Sequence, residues 1–276
     1  MLRLPDWMVY SAALAALAVA GVSRRERADA PPPPPPPSLE ENLLLAPAEP
    51  FNPGELVEAR GLPVQAQSGT AFAVGGEGIW LTARHVVEGC RRPALKIAGD
   101  RAVAARPRLS RRSDVAVLRT EGGPTPIPVA LNQRLEPGLR GFHPGFPQGG
   151  AGEATSRLLG PGELRRHGRG QAAQPVWIWA EVGRTDGLKG ELSGLSGAPV
   201  LDERGQAVGV TLAEGPRRGR IYTTRPADMR AALGRSFSRP DAVGAAISVS
   251  NYGLEADALR RDLRVAQVIC LDDAAA

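Results

Sequence analysis

Alternating apolar and polar residues in the middle of the chain predict a series of short β-strands. The strands are predicted at residues 68–74, 79–82, 95–98, 115–118 and 177–181. A Gly-Gly-Glu-Gly sequence at 75–78 separates the first two strands, which is the pattern of a β-hairpin. Helical periodicity is scarce until residues 226–233, where a proline at the first position predicts a short helix. The pattern as a whole indicates an all-β domain.

A serine lies at the mouth of a second predicted hairpin. Strands are predicted at 200–201 and 207–213, with a polar turn between them, and the sequence Gly-Leu-Ser-Gly-Ala-Pro-Val at 194–200 leads into the first strand. Flexible backbone at such a site can turn successive N–H groups toward one point, as an oxyanion hole requires. A serine hydroxyl is a weak nucleophile unless a base removes its proton. Catalysis by Ser196 would therefore need a base and a group that orients it.

Residues of both kinds occur upstream. His85 follows the predicted strand 79–82 within Thr-Ala-Arg-His-Val-Val, and Asp114 directly precedes the predicted strand 115–118. Either residue alone would usually be structural, the histidine as a packed side chain and the aspartate as a turn or cap. The three together, in the order His85, Asp114, Ser196, indicate nucleophilic catalysis.

The three segments resemble the sequence blocks of the trypsin-like (chymotrypsin-fold) serine peptidases. Their spacings of 29 and 82 residues are most similar to the bacterial HtrA-type branch. The resemblance covers about residues 55–235 and implies two six-stranded β-barrels. It also implies that His85 is the general base, that Asp114 orients it, and that Ser196 is the nucleophile. The backbone N–H groups of Gly194 and Ser196 would form the oxyanion hole.

The resemblance also implies where a substrate binds. The substrate-binding residues expected from it are Gly190, Leu195, Thr211, Leu212 and Ala213. A substrate strand would pair with the backbone of 211–213. Gly190 occupies the base of the S1 pocket, which predicts a small or medium apolar P1 residue. Thr211 lies where the family carries a hydroxyl residue that bonds the catalytic aspartate, or it is a plain strand threonine.

Several other segments near this region have simpler interpretations. His143 and His167 lack the flanking block of His85 and are interpreted as loop residues. Residues 141–149 have the composition of a turn and resemble the loop between the two barrels of the family. The strand at 177–181 is expected to open the second barrel.

Residues 1–22 form a separate unit, either a transmembrane anchor or a signal peptide. Sixteen uncharged residues at 7–22 are slightly short for a spanning helix, and Ala18-Val19-Ala20 fits a cleavage site. Both interpretations export the chain, as an inner-membrane protein that faces the periplasm or as a secreted periplasmic one. The arginines at 24, 25 and 27 argue the other way, because positive charge prefers the cytoplasmic side.

Residues 23–54 are predicted to be a proline-rich linker. Seven consecutive prolines at 31–37 favour a stiff polyproline II stalk that holds the domain off the membrane. The alternative is a ligand for a proline-recognising domain.

The C-terminal extension, residues 236–276, is predicted to be a short α/β tail. Its elements are a strand at 245–249, a helix at 254–263 and a strand at 265–270. The tail is too short for the PDZ domain that HtrA-type proteins usually carry. Cys90 and Cys270 could form a disulfide that ties the tail to the first barrel, or they could be two unrelated buried thiols.

Composition limits the possible partners and cofactors. The 276 residues suit one domain of about 200 residues with appendages. The net charge of +5 is spread along the chain, so nucleic-acid binding is not expected. Neither cysteine is flanked by further ligands, so no metal is expected, and no cofactor is implied. The oligomeric state is not indicated.

The function that the sequence favours is a serine endopeptidase in the bacterial cell envelope. It would act on polypeptide substrates in protein quality control or regulatory proteolysis. One alternative is a catalytically silent trypsin-fold binding or scaffold protein, which would not need all three catalytic residues. A serine esterase of another fold is disfavoured, because its nucleophile lies between a strand and a helix.

Overall fold

The structure is a computed structural model that describes residues 28–33, 51, 56–58, 68–98, 101–164, 173–214, 219–238 and 242–271. The apolar segment 7–22 and His167 lie outside these residues. In the described part of the chain, no helix is both long enough and apolar enough to cross a bilayer.

Fourteen described strands form two sheets, and three described helices lie between or beside them. The first sheet contains β1 (Leu56–Glu58), β2 (Gly69–Gly75), β3 (Ile79–Thr82), β4 (Pro93–Ala98), β5 (Arg101–Ala104), β6 (Arg106–Leu109), β7 (Ala116–Arg119) and β14 (Val265–Cys270). The second contains β8 (Arg140–Gly145), β9 (Gly152–Leu164), β10 (Gln174–Arg184), β11 (Pro199–Leu201), β12 (Ala207–Glu214) and β13 (Arg220–Thr223). The helices are α1 (Arg84–Val87), α2 (Pro226–Leu233) and α3 (Tyr252–Arg261).

The second sheet is a closed barrel in the order β10-β13-β12-β11-β8-β9, which confirms the predicted six-stranded barrel. The barrel begins at β8, so the prediction that 177–181 opens it is wrong. The interpretation of 141–149 as a turn is wrong for its first half, because Arg140–Gly145 is a strand. Position 141 of this strand requires a glycine, because a Cβ there would lie 2.8 Å from the Trp179 ring. Only Pro147–Gly149 form a 3₁₀ turn.

The first sheet has eight strands in the order β1-β5-β4-β14-β2-β3-β7-β6, and not the six that were expected. The C-terminal strand β14 is an inner strand, with Gln267 opposite Lys96 of β4 on one side and Thr70 of β2 on the other. The predicted helix and final strand of the tail are confirmed within two residues. The predicted strand at 245–249 is absent, because this segment lies outside every strand in the described residues.

A disulfide joins Cys90 to Cys270, with the two Cα atoms 5.7 Å apart. Cys90 lies just after α1, and Cys270 ends β14. The bond closes a loop of 180 residues and links the tail to the segment that follows His85. Together with the strand pairing, it makes the tail part of the first sheet.

Residues 28–33 lie against the second barrel and α3. The Ala30 N–H donates to the Arg184 carbonyl at 3.0 Å, and Tyr252 donates its hydroxyl proton to the Ala28 carbonyl. Pro31–Pro33 follow this docked segment directly. Pro31 and Pro32 are exposed, and the rest of the proline run lies outside the described residues, so the polyproline stalk stays a prediction.

Candidate active site

His85 and Asp114 are brought together because the strands that carry them are neighbours. His85 lies in α1, which follows β3 closely, and Asp114 lies two residues before β7. Since Thr82 of β3 pairs with Ala116 of β7, the end of one strand lies beside the start of the other. The backbone pairing of β3 with β7 therefore places the two side chains next to each other.

The Asp114 carboxylate makes two hydrogen bonds to His85. Oδ2 lies 2.8 Å from the ring Nδ1, and Oδ1 accepts from the His85 backbone N–H at 3.0 Å. A carboxylate can only accept, so Nδ1 carries the proton and Nε2 is the basic nitrogen. The Asp114 side chain is 4% exposed and that of His85 is 31% exposed. The pair therefore has a buried orienting group and an imidazole that solvent can reach.

Gln174 is a contact of this pair that the sequence did not indicate. Its Oε1 accepts the Asp114 backbone N–H at 3.0 Å. Because Gln174 begins β10, this bond connects the aspartate to the second barrel. No local motif marks the residue, since its role depends on how the two sheets meet.

The glycine that follows Ser196 packs tightly against β2 and β3. Gly197 has φ of +91°, and a Cβ there would lie 2.0 Å from the Thr70 carbonyl oxygen and 2.4 Å from Thr82 Oγ1. Only glycine tolerates both this conformation and this contact. The Ser196 carbonyl also accepts from the Thr70 N–H at 2.8 Å. Ser196 is thus fixed beside the end of β3. His85 follows that end of the strand by three residues.

The Ser196 hydroxyl donates its proton to the Leu212 carbonyl at 2.9 Å. A hydroxyl has one proton to donate, so this bond occupies it in the observed conformation. Transfer of that proton to His85 would require the hydroxyl to turn away from the Leu212 carbonyl. Such rotamer changes take picoseconds to nanoseconds at exposed sites and present a small barrier.

The backbone around Gly194 suits an oxyanion hole. Gly194 has φ of +94°, and its carbonyl accepts a hydrogen bond from Thr70 Oγ1 at 2.9 Å. Among the described residues, the N–H groups of Gly194 and Ser196 donate to no protein acceptor. Both donors are therefore available for a substrate oxygen.

Of the other predicted substrate residues, Leu195 is next to Ser196 in the chain and Leu212 accepts its hydroxyl bond, but neither presents its side chain. Leu195 is 1% exposed and Leu212 is fully buried, so each can meet a substrate only through its backbone. Gly190 is exposed, and its carbonyl accepts from Arg184 Nη1 at 2.8 Å. Thr211 and Ala213 lie in β12 on either side of Leu212.

A second histidine–serine contact lies inside the second barrel. His143 Nε2 is 2.7 Å from Ser156 Oγ, and Nδ1 is 3.0 Å from Thr211 Oγ1. His143 is fully buried, so a substrate cannot reach it, and two hydroxyls occupy its ring nitrogens. The interpretation of His143 as a loop residue is wrong, because it lies in β8. Thr211 bonds His143, which also corrects the suggested bond to Asp114.

Burial lowers the pKa of His143 to about 3, so the folded protein holds it neutral at physiological pH. An unfolded histidine binds a proton below about pH 6.5. The unfolded state therefore gains protons first, and stability is lost as the pH falls from about 6.5 toward 3. The contribution is at most about 1.4 kcal/mol per pH unit.

We expect the free energy of unfolding of His143→Gln to change less between pH 6 and pH 4 than that of the wild-type protein. Urea titrations at several pH values measure this slope. Equal slopes for both proteins would contradict this assignment.

Comparison with known proteins agrees with this architecture. The trypsin-like peptidase domain profile matches residues 69–210, slightly more than half of the chain. The active form of the Rv3671c protease of M. tuberculosis is 24% identical, with a TM-score of 0.52, over 79% of this chain and 95% of that chain. The MamO protease domain from Magnetospirillum magneticum is 20% identical, with a TM-score of 0.48, over 67% and 97%. The HtrA-type protease AlgW is 18% identical, with a TM-score of 0.46, over 57% and 47%.

No curated protein sequence matches the chain. The Rv3671c structure, with a TM-score of 0.52, supports the fold alone, a chymotrypsin-like double-barrel arrangement. The matched profile extends from β2 into β12, and so contains the segments of His85, Asp114 and Ser196. This chain therefore belongs to the trypsin-like peptidase domain family.

Proposed function

We propose that the protein is a serine endopeptidase with Ser196 as its nucleophile. The observation that carries the proposal is the hydrogen-bonded pair His85–Asp114 at the end of β3, where the Ser196-Gly197 segment also packs. The exposure of His85, and the unoccupied N–H groups beside Ser196, add the other parts that acyl transfer requires.

In the proposed reaction, Ser196 Oγ attacks the peptide carbonyl carbon and its proton passes to His85 Nε2. The carbonyl oxygen becomes an oxyanion that accepts hydrogen bonds from the N–H groups of Gly194 and Ser196. Collapse of this intermediate breaks the C–N bond, and His85 gives its proton to the departing amine. Water then hydrolyses the acyl-enzyme by the same two steps, which returns the proton to Ser196. Asp114 stays ionised and stabilises the imidazolium.

The substrate is proposed to bind as an extended strand along 211–213, with its P1 side chain directed toward Gly190. Gly190 supplies no carboxylate to pair with a basic residue. The Arg184 guanidinium that donates to the Gly190 carbonyl is itself paired with the Glu181 carboxylate, so it brings no uncompensated charge there. The missing carboxylate at Gly190 disfavours arginine and lysine at P1.

We expect a peptide library to be cleaved mainly after valine, alanine or leucine, and a fluorophosphonate to label wild-type protein on Ser196. Cleavage mainly after arginine or lysine would overturn the proposed pocket. A folded protein that neither cleaves peptides nor reacts with the fluorophosphonate would instead be a silent scaffold.

We also propose that the protein works in the bacterial cell envelope, anchored in the inner membrane and facing the periplasm or released there. The Cys90–Cys270 disulfide supports this location, because disulfides persist in oxidising compartments. Non-reducing peptide mapping of periplasmic material should recover the two cysteine peptides joined. Two free, alkylatable thiols would contradict the location.

A further inference from the structure

Two loops pack against each other next to Ser196. We call residues 146–151 the bracing loop and residues 186–195 the oxyanion loop. Gln148 of the bracing loop donates from Nε2 to the carbonyls of Lys189 at 2.6 Å and Glu191 at 2.9 Å, and its backbone N–H donates to the Ser193 carbonyl. One residue therefore satisfies three carbonyls of the oxyanion loop.

The contact between the two loops leaves no space at Gly194. A Cβ at Gly194 would lie 2.5 Å from the Phe146 carbonyl oxygen and 3.3 Å from the Gln148 nitrogen. Thr70 Oγ1 joins the same two loops, since it accepts the Phe146 N–H at 3.1 Å and donates to the Gly194 carbonyl. The position of the Gly194 peptide therefore depends on the position of the bracing loop.

Arg260 of α3 holds both ends of the bracing loop. Its Nη1 donates to the carbonyls of Gly145 at 3.3 Å and Gly152 at 3.1 Å, the residues that flank the loop. Its Nη2 donates to Glu153 at 2.9 Å and also to Asp257. The side chain is only 7% exposed, so these bonds form away from water.

Glu153 extends this network to the start of the oxyanion loop. It is 1% exposed, and its carboxylate accepts from Arg260 on one oxygen and from Thr185 Oγ1 at 3.0 Å on the other. Thr185 directly precedes the oxyanion loop. Burial raises the pKa of Glu153, and the Arg260 guanidinium offsets part of that rise. The charge on Arg260 thus helps to keep the carboxylate ionised.

We propose that the C-terminal helix positions the oxyanion hole, with Arg260 and Gln148 as its positioning residues. Arg260 fixes the bracing loop, and Gln148 transmits that position to the peptide of Gly194. The inference rests on the proposed peptidase function, since it assigns a role within that reaction. It also gives the C-terminal extension a part in catalysis that its distance in sequence from Ser196 does not suggest.

The test uses Arg260→Lys, which keeps a positive charge beside Glu153 and Asp257. Lysine lacks the planar fork that reaches two carbonyls and two carboxylates at once. We expect kcat to fall about tenfold while KM changes by less than about twofold, since small misplacement of a catalytic group lowers the rate. Affinity for a peptide aldehyde, whose adduct carries the oxyanion, should fall by the same factor as kcat/KM. The control is Arg261→Lys, at the exposed neighbouring position. Its kcat, KM and aldehyde affinity should equal those of the wild type.

Gln148→Gly is a second variant that does not disturb a buried charge. Gln148 has φ of 54°, a conformation that glycine adopts freely, so the substitution removes the side-chain bonds without adding strain. We expect the same loss of kcat and of aldehyde affinity, with an unchanged pH dependence of kcat/KM because His85 is not affected. This variant decides the question if Arg260→Lys does not fold.

Two outcomes separate this inference from the proposed function. If folded Arg260→Lys and Gln148→Gly both retain wild-type kcat and aldehyde affinity, the positioning role is wrong and the peptidase proposal stands. If the wild-type protein itself shows no hydrolysis that depends on Ser196, the proposed function is wrong and the positioning role falls with it.

Discussion

Replacing Ser196 with alanine should lower kcat by about 10⁶-fold, while leaving the fold and substrate affinity nearly unchanged. The side chain is small and half-buried, and the one hydrogen bond it donates goes to the Leu212 carbonyl. Its loss therefore removes the nucleophile at little cost in stability. Residual hydrolysis should remain about 10³–10⁴-fold above that in water, because binding and the oxyanion hole persist.

The matched control is Ser193→Ala, an exposed serine three residues earlier in the oxyanion loop. It should keep full activity, because its side chain has no role in the proposed reaction. His85→Ala should lose about as much activity as Ser196→Ala, and the double variant should lose no more than either alone. Rates are measured with a peptide substrate, together with thermal unfolding of each variant. Full activity of a clean Ser196→Ala preparation would show that another residue is the nucleophile.

The sequence was sufficient to predict that His85 and Asp114 meet, and to propose Ser196 as the nucleophile, because these residues occur in short, ordered blocks. His85, Asp114 and Ser196 each adjoin a strand with a strong apolar pattern, and strand pairing then brings the first two together. These features depend on local sequence and on the order of strands, which a single chain reveals.

Other parts of the site depend on contacts between distant segments, which local patterns do not contain. His143 has glycine and proline neighbours that imitate a turn, although Gly141 is small because it packs on Trp179. Gln174 and Arg260 look like ordinary polar residues in the sequence. The partner of Gln174 is 60 residues away, and every partner of Arg260 except Asp257 is more than 100 residues away.

The C-terminal strand was predicted as a strand, but its place in the sheet was not. A terminal strand is most easily expected at an edge, and β14 instead separates β2 from β4. The Cys90–Cys270 pair was the one sequence feature that connected the tail with the first barrel. The position of β14 leads to the second large effect that we expect.

Truncation of the chain after Arg261, which removes β14, should prevent the domain from folding. β14 pairs with β2 on one side and β4 on the other, so its loss leaves two rows of backbone groups unpaired inside the sheet. It also exposes the core around Val265, Ala266 and Val268, each at most 1% exposed. We expect insoluble protein, or soluble protein without near-ultraviolet circular dichroism.

The double variant Cys90→Ser/Cys270→Ser separates the strand from the disulfide. It keeps every backbone hydrogen bond of β14 and removes only the covalent link across 180 residues. We expect it to fold and to lose about 3–5 kcal/mol of unfolding free energy in urea titrations, because the unfolded chain gains conformational freedom. A truncated protein as stable as this double variant would mean that β14 contributes only its disulfide.

The distinction matters for Ser196 and Gly194, because β14 pairs with β2, and β2 carries Thr70, which contacts both of them. If the strand is what holds β2 in place, the double variant should retain its kcat at temperatures well below its lowered midpoint of unfolding.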